Sequence, residues 1–296
     1  MNKDRIRNEY QLGVILVVLC QVVWGFLPIF WQTIKPVDSW IIIMYRIATM
    51  FVYALILALA RHSWKELLEP LKNRKIRIKY FTAGLILTVN WSTYIWAINS
   101  GRVIQAAIGY FIEPIVICLF GIIIFHEKIT KYNATAIAFA VVAVLLILFH
   151  FGQLPGTALV LALTWATYSA IKKTADLPIT YTLLYETMIY GIISIVAIIV
   201  MESKGVGALA YNMPAKMPLL ILTGLVTIIP IGLFGAAAKK VTLLTIGLAQ
   251  YISPTITLAC GIFLFKEPID IYQVIAFGII WIGLIFFTTG EIKNSK

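Results

Sequence analysis

Runs of 16 to 24 mostly apolar residues, separated by short polar clusters, occupy almost the whole chain. They predict helical spans at about 12–33, 39–60, 81–100, 103–125, 133–150, 156–171, 180–201, 217–238, 242–265 and 270–289. At about 1.5 Å per residue, each approaches or exceeds the ~30 Å hydrocarbon thickness of a bilayer. The run at 156–171 is the shortest. The breaks coincide with Lys35-Pro36, Ser100-Gly101-Arg102, Leu154-Pro155-Gly156 and Lys239-Lys240.

The pattern also repeats. With residue i laid on residue i+140, the stretch 108–132 and the stretch 248–272 share eight identities in 25 positions. They are Ile112/Ile252, Pro114/Pro254, Gly121/Gly261, Ile122/Ile262, Phe125/Phe265, Glu127/Glu267, Ile129/Ile269 and Tyr132/Tyr272. The isoleucines carry little weight in so apolar a chain, but Pro, Gly, Phe, Glu and Tyr recurring in one register point to a duplication. The same offset pairs Tyr45 with Tyr185, Gly84 with Gly224, Ala97 with Ala237 and Ala136 with Ala276, and a one-residue shift sets Trp24-Gly25 on Trp165-Ala166. The expected domains are therefore two five-helix repeats, 1–149 and 150–296. An odd number of spans per copy would insert the second copy upside down, so the expected fold is an all-α integral membrane protein of ten helices in two inverted repeats.

Composition agrees with a membrane protein: 61% hydrophobic and 12% charged residues, against about 25% charged in soluble domains. Cys20, Cys118 and Cys260 all lie in apolar runs, as small buried hydrophobes without disulfide or metal-ligand spacing. The first run is too long for a signal peptide and lacks a small-residue cleavage site, so it is expected to remain as a span.

A net charge of +11 would suit nucleic acid, but its distribution gives it another meaning. With the amino terminus inside, 18 of the 24 Lys and Arg fall in inner segments, seven of them in 61–80, and five in outer segments, while Arg46 lies within a span. That is the positive-inside asymmetry. It places both termini in the cytoplasm and the protein in the cytoplasmic (inner) membrane, with the bilayer as a partner and no role for nucleic acid.

The Trp24-Gly25 pair, the sequence Gly-Tyr-Phe-Ile-Glu-Pro at 109–114 followed by G-x-x-x-F-x-E at 121–127, and Tyr-Glu-Thr-Met at 185–188 resemble the EamA family of the drug/metabolite transporter superfamily. Tyr45-Arg46, W-x-x-x-I-W-A-x-N at 91–99 and G-Y-F-I-x-P at 109–114 are most similar to its RarD subgroup, named for chloramphenicol sensitivity. The resemblance implies a ten-helix basket whose central cavity is lined by spans 1, 3, 4, 6, 8 and 9, and export of small metabolites or drugs. It supplies no substrate.

Three ionisable residues sit well inside spans: Arg46, Glu113 and Glu186. Burial of such groups costs at least about 2.5–3.5 kcal/mol, so each must face protein or water. A helix-locking ion pair and a contact to substrate or proton are equally compatible with this. Arg46 and Glu113 both lie about 10–15 Å from the outer surface at ~1.5 Å per residue, which favours that pairing over Arg46 with Glu186. Pro114 and Pro254 each free a carbonyl one turn back, near Tyr110 and Gln250, and are the expected helix hinges.

Trp24, Trp91, Tyr94, Trp165, Tyr168, Tyr110 and Tyr251, with Asn90 and Asn99, would suit an amphipathic or aromatic ligand. Taken singly, ordinary helix packing explains each aromatic more simply. Trp40 is expected as an interfacial anchor. Glu127 and Glu267 are expected to cap or fix the turns after spans 4 and 9, without touching substrate.

The sequence offers no H-E-x-x-H, no paired Asp motif and three scattered histidines at 62, 126 and 150, which disfavours a membrane enzyme. It offers no nucleotide-binding loop and calls for no cofactor or metal, so energy would come from ion or substrate gradients. The expected activity is secondary transport of a small molecule by alternating access. A channel or a non-transporting scaffold is the alternative, and homodimer formation is left open.

Overall fold

The computed structural model describes residues 3–152, 156–266 and 270–294. Among them the chain is helical, with no strand. Its helices are α1 (Lys3–Ile34), α2 (Ser39–Leu59), α3 (Trp64–Leu68), α4 (Arg74–Asn99), α5 (Val103–Ile123), α6 (Lys131–Phe151), α7 (Gly156–Lys173), α8 (Ile179–Ser203), α9 (Met217–Ala238), α10 (Leu243–Ala249), α11 (Ile252–Phe263) and α12 (Ile271–Asn294). The expected break at 154–155, as well as Glu267 and Ile269, lie outside the described residues. Local signals set many of the ends. Asp38 caps α2 by accepting from Trp40 N–H at 2.8 Å, Ser63 and Glu66 form a reciprocal capping box on α3, and Thr130 and Thr242 cap α6 and α10.

Nine segments among the described residues are long and apolar enough to cross a membrane. Nine of the ten expected spans are thereby accounted for. The remaining helix, α7, has only 18 residues, and Thr157, Thr164, Thr167, Ser169, Lys172 and Lys173 lower its hydropathy.

The expected ninth span is two helices. Gln250 N–H bonds to Ile246 and Gly247 carbonyls, and Tyr251 N–H closes on Leu248 at 3.4 Å, a tightened last turn after which α11 begins. Pro254 explains the break, because it offers no N–H to the Gln250 carbonyl yet is tolerated in the first turn of a helix. Its counterpart Pro114 sits inside the continuous α5.

The chain divides into two compact units that each draw on both halves of the sequence, with divisions falling inside α1, α4 and α9. Unit 1 comprises Met1–Pro28, Trp96–Thr174 and Leu233–Lys296. Here α6 packs on α12, and α5 on α7 and α10. Ile108, Phe111, Ala140, Val144, Ala162, Tyr251 and Phe277 belong to its core. Helices α6 and α12 run antiparallel: Lys293, at the end of α12, bonds the Tyr132 hydroxyl at the start of α6, while Tyr272 at the start of α12 stacks on His150 near the end of α6. Helix α7 runs beside α5 for its full length, from Ala158 and Leu161 against Gly109 to Lys173, which reaches Glu127 beyond the far end of α5.

Unit 2 comprises Ile29–Ile95 and Ala175–Gly232. Its α2 and α8 are also antiparallel, with Tyr45 bonded to Glu202 at one end and Ala58 packed near Leu184 and Tyr185 at the other. Two glycines permit its closest approaches. A Cβ on Gly84 of α4 would lie 2.0 Å from the Glu186 carbonyl of α8, and one on Gly224 of α9 would lie 2.2 Å from the Met50 N of α2. These two glycines are 140 residues apart, and each lets its helix approach the backbone of another.

The 140-residue offset recurs in backbone geometry. His126 and Lys266 both take positive φ, at 50° and 53°. Phe125 N–H bonds to Phe120, and Phe265 N–H to Cys260. Within each unit, residues 140 apart also touch: Tyr251 donates to the Phe111 carbonyl at 2.9 Å in unit 1, and Phe51 lies against Gly191 in unit 2.

Candidate functional site

In unit 1 the interruption between α10 and α11 brings Gln250 beside α5, where its Nε2 donates to Glu113 Oε1. Both side chains are buried, at 8% and 9% exposure, and Gln250 Oε1 has no hydrogen-bond partner among the described residues. An orphaned buried acceptor is costly, by about 1–3 kcal/mol, and marks a place where a donor from outside the protein is favoured. Pro114 and Pro254 add carbonyls at Tyr110 and Gln250 that lack the usual donor from four residues on. Tyr251 is fully buried and its hydroxyl is committed to Phe111. Tyr110 is 42% exposed.

The same unit holds an aromatic cluster. Trp165 and Tyr168, one turn apart on α7, have ring centroids 5.4 Å apart, and Phe234 lies 5.4 Å from Trp165 and 6.1 Å from Tyr168, stacked on the latter. Phe234 was not legible as a partner, because nothing in a uniformly apolar helix distinguishes it. Trp165 Nε1 and Gln21 Nε2 are buried without a hydrogen-bond partner among the described residues. Trp24 is partly buried on α1. Lys172, counted from the sequence as a loop charge, is instead 1% exposed with its ammonium 5.7 Å from the Tyr168 ring centroid. The last turn of α7 packs inward, and a long lysine stem can follow it.

In unit 2, Arg46 is surrounded by rings. Its guanidinium carbon is 3.9 Å from the centroid of Trp91 and 5.3 Å from that of Trp31, and its Nε donates to Thr227 Oγ1 at 2.9 Å. Cation–π contacts of this kind are worth up to about 2 kcal/mol when desolvated. Asn90 and Glu186 are buried in this unit, and Tyr94 is partly buried. Trp31 and Thr227 carried no sequence signal, as neither belongs to the repeated stretch.

Glu127 is a structural residue. Its carboxylate accepts from Leu243 and Leu244 N–H at 2.8 and 3.0 Å, capping α10, and lies 3.3 Å from Lys173 Nζ. At the start of α12, Asp270 accepts from His150 at 3.0 Å and from Tyr272 and Gln273 N–H. Partial burial raises the Asp270 carboxyl, but these hydrogen bonds outweigh it and hold the group below the ordinary carboxylate range.

Residues 11–149 and 156–289 match the EamA-like transporter family. The chain belongs to that family. It is 32% identical over 288 residues to an uncharacterized transporter, YojE, of Bacillus subtilis, covering 96% of each chain. It is 30% identical to protein RarD of Streptomyces exfoliatus, covering 99% of this chain and 93% of that one, and 28% identical to protein RarD of Escherichia coli, covering 98% of each. A crystal structure superposes with a TM-score of 0.71 at 14% identity, covering 96% of this chain and 99% of the other, which is a likeness of fold alone. This EamA-family chain is thus a multi-pass membrane protein whose relatives are named as transporters.

Proposed function

We propose that the protein is a secondary transporter that carries a small amphipathic or aromatic molecule across the cytoplasmic membrane, outward, by alternating access. The observation that carries this reading is the broken span at Gln250-Tyr251 beside the buried Glu113 carboxyl group. Interrupted helices are where secondary transporters place substrate and ion sites, because irregular backbone at membrane depth survives only against protein or a polar cavity. Glu113, Gln250 and the Gln250 carbonyl are the polar contacts in this proposal, with Trp24, Trp165, Tyr168 and Tyr251 as its aromatic surroundings.

The inverted-repeat reading takes its support from the antiparallel pairing of equivalent helices, α6 with α12 and α2 with α8, and from the contacts between residues 140 apart. Residues on a two-fold axis meet their own equivalents. We take α7 as the tenth crossing, since it accompanies α5 throughout and would span about 27 Å at ~1.5 Å per residue. The domains are then 1–149 and 150–296, with both termini cytoplasmic. Hydrogen bonds between segments that the charge asymmetry assigns to one side, such as Tyr10 with Glu291 and Lys173 with Val241, accord with that topology.

The test is flux in proteoliposomes over a panel of aromatic and amphipathic metabolites. A saturable, gradient-dependent flux, with KM raised in Trp165→Ala and Glu113→Gln, is expected. A non-saturating conductance would replace the carrier by a channel, and a protein inert to the whole panel and to ion gradients would be a scaffold.

A further inference from the structure

The groove bounded by Arg74, Arg77, Ile78, Phe81, Thr82, Leu85 and Tyr190 lies wholly in unit 2, has a volume of ≈ 430 Å³, and belongs to no part of the proposed transport site. Six of its residues come from one face of α4 at spacings of one, three and four, and the seventh from α8. Its wall is fixed by the approach of Gly84 to the Glu186 carbonyl and by Tyr190, whose hydroxyl donates to the Phe81 carbonyl at 3.1 Å.

The groove is polarised. At one end stand two arginines, and along it run Ile78, Phe81 and Leu85, of which Ile78 and Leu85 are 55% and 48% exposed. Arg77 is oriented by donating to the Leu71 carbonyl at 2.7 Å, a neutral partner that leaves its charge uncompensated, and Arg74 has no hydrogen-bond or ion-pair partner among the described residues. The acids nearest in the chain are engaged elsewhere, Glu69 with Lys72 and Glu66 with His62. From Arg74 to Leu85 the helix rises about 16 Å at ~1.5 Å per residue, which is close to half of a ~30 Å hydrocarbon core, the depth of one leaflet.

We propose that this groove binds one anionic phospholipid, its phosphate held between Arg74 and Arg77 and one acyl chain laid along Ile78, Phe81 and Leu85. A basic pair at the interface followed by an apolar strip one leaflet deep matches a phospholipid in both charge and length, whereas a free phosphate uses only the first. Basic pockets at the cytoplasmic ends of membrane helices bind such headgroups, and this end of α4 lies within the segment 61–80, whose seven Lys and Arg include Arg74 and Arg77.

The full-length protein in a neutral detergent is titrated with phosphatidylglycerol or phosphatidylcholine, and bound lipid is followed by native mass spectrometry. Phosphatidylglycerol is expected to occupy one saturable site, with at least tenfold preference over phosphatidylcholine. R74Q/R77Q should lower its affinity about 30-fold, about 2 kcal/mol at ~1.4 kcal/mol per decade, the worth of two basic residues beside an anionic surface. L85Q should weaken it without abolishing the preference, and K65Q/K75Q, outside the groove, should leave it unchanged. Equal loss in K65Q/K75Q, no preference between the lipids, an R74Q/R77Q protein that is folded in phosphatidylcholine yet binds phosphatidylglycerol normally, or inorganic phosphate binding as tightly as the lipid would each overturn the proposal. None of these readouts involves transport, so the carrier reading stands or falls separately.

Discussion

Replacing Glu113 by Gln tests which group in the protein depends on this carboxyl group. Glu113 accepts one hydrogen bond from Gln250 Nε2, and Gln250 Oε1 is orphaned. A glutamine at 113 keeps an acceptor for Nε2 and adds an amide donor for Oε1, so one net hydrogen bond worth about 1 kcal/mol is gained. At roughly 2–4 °C per kcal/mol, the detergent-solubilised protein should melt about 2–4 °C higher. Glu113→Leu strands both ends of the Gln250 amide and should cost about 2 kcal/mol, a fall of about 4–8 °C. The sequence favours Arg46 as the partner of Glu113, and under that pairing Glu113→Gln would leave a buried cation uncompensated at about 3–5 kcal/mol. Melting followed by intrinsic tryptophan fluorescence separates the two. A fall of about 6 °C or more in Glu113→Gln, recovered in part by Arg46→Met, would refute the reasoning from Gln250 and establish the ion pair.

Glu127→Ala removes two N–H acceptors at the start of α10 and the carboxylate beside Lys173, and should cost about 2–3 kcal/mol of stability by thermal melting, since hydrogen bonds to a charged group are worth ~1.5–3 kcal/mol. Pro254→Ala supplies the N–H that the Gln250 carbonyl lacks and should tend to fuse α10 with α11, and Pro114→Ala should regularise α5. Cysteine accessibility at the outer and inner ends of α4 and α9 should shift in opposite directions in the two variants, and same-direction shifts would discard the prolines as matched hinges. The Asp270 carboxyl is held below its ordinary range, so it contributes stability above an unfolded pKa of about 3.9 and loses it as pH falls through its lower folded value. Asp270→Asn should therefore flatten the acid limb of the melting curve below about pH 4, and an unchanged limb would remove His150 and the Tyr272 and Gln273 amides as its cause.

The sequence by itself located nine of the expected spans and the bounds of most of them, because a helix must satisfy its own backbone in hydrocarbon and twenty apolar residues are what that takes. The expected bounds of α2, α5 and α9 fall within about two residues of those observed, where Asp38, Arg102 and Lys239-Lys240 interrupt the apolar pattern. It also carried the 140-residue register, since Gly84 and Gly224 stand where a Cβ would meet backbone, while the Tyr132 ring lies against Gly290 and the Tyr272 ring stacks on His150.

Only the tertiary structure decided which polar groups meet. Gln250 was legible as a freed carbonyl before Pro254, but its side chain reaches Glu113 because the tightened turn at Tyr251 rotates it toward α5. Arg46 was legible as an expensive charge, yet its ring contacts with Trp31 and Trp91, which join α2 to α1 and α4, were not. Burial within a membrane protein erases the difference between inward and lipid-facing apolar positions, since both are hydrophobic. Which face of α7 turns Trp165, Tyr168 and Lys172 toward Phe234 and the protein was therefore set by packing alone.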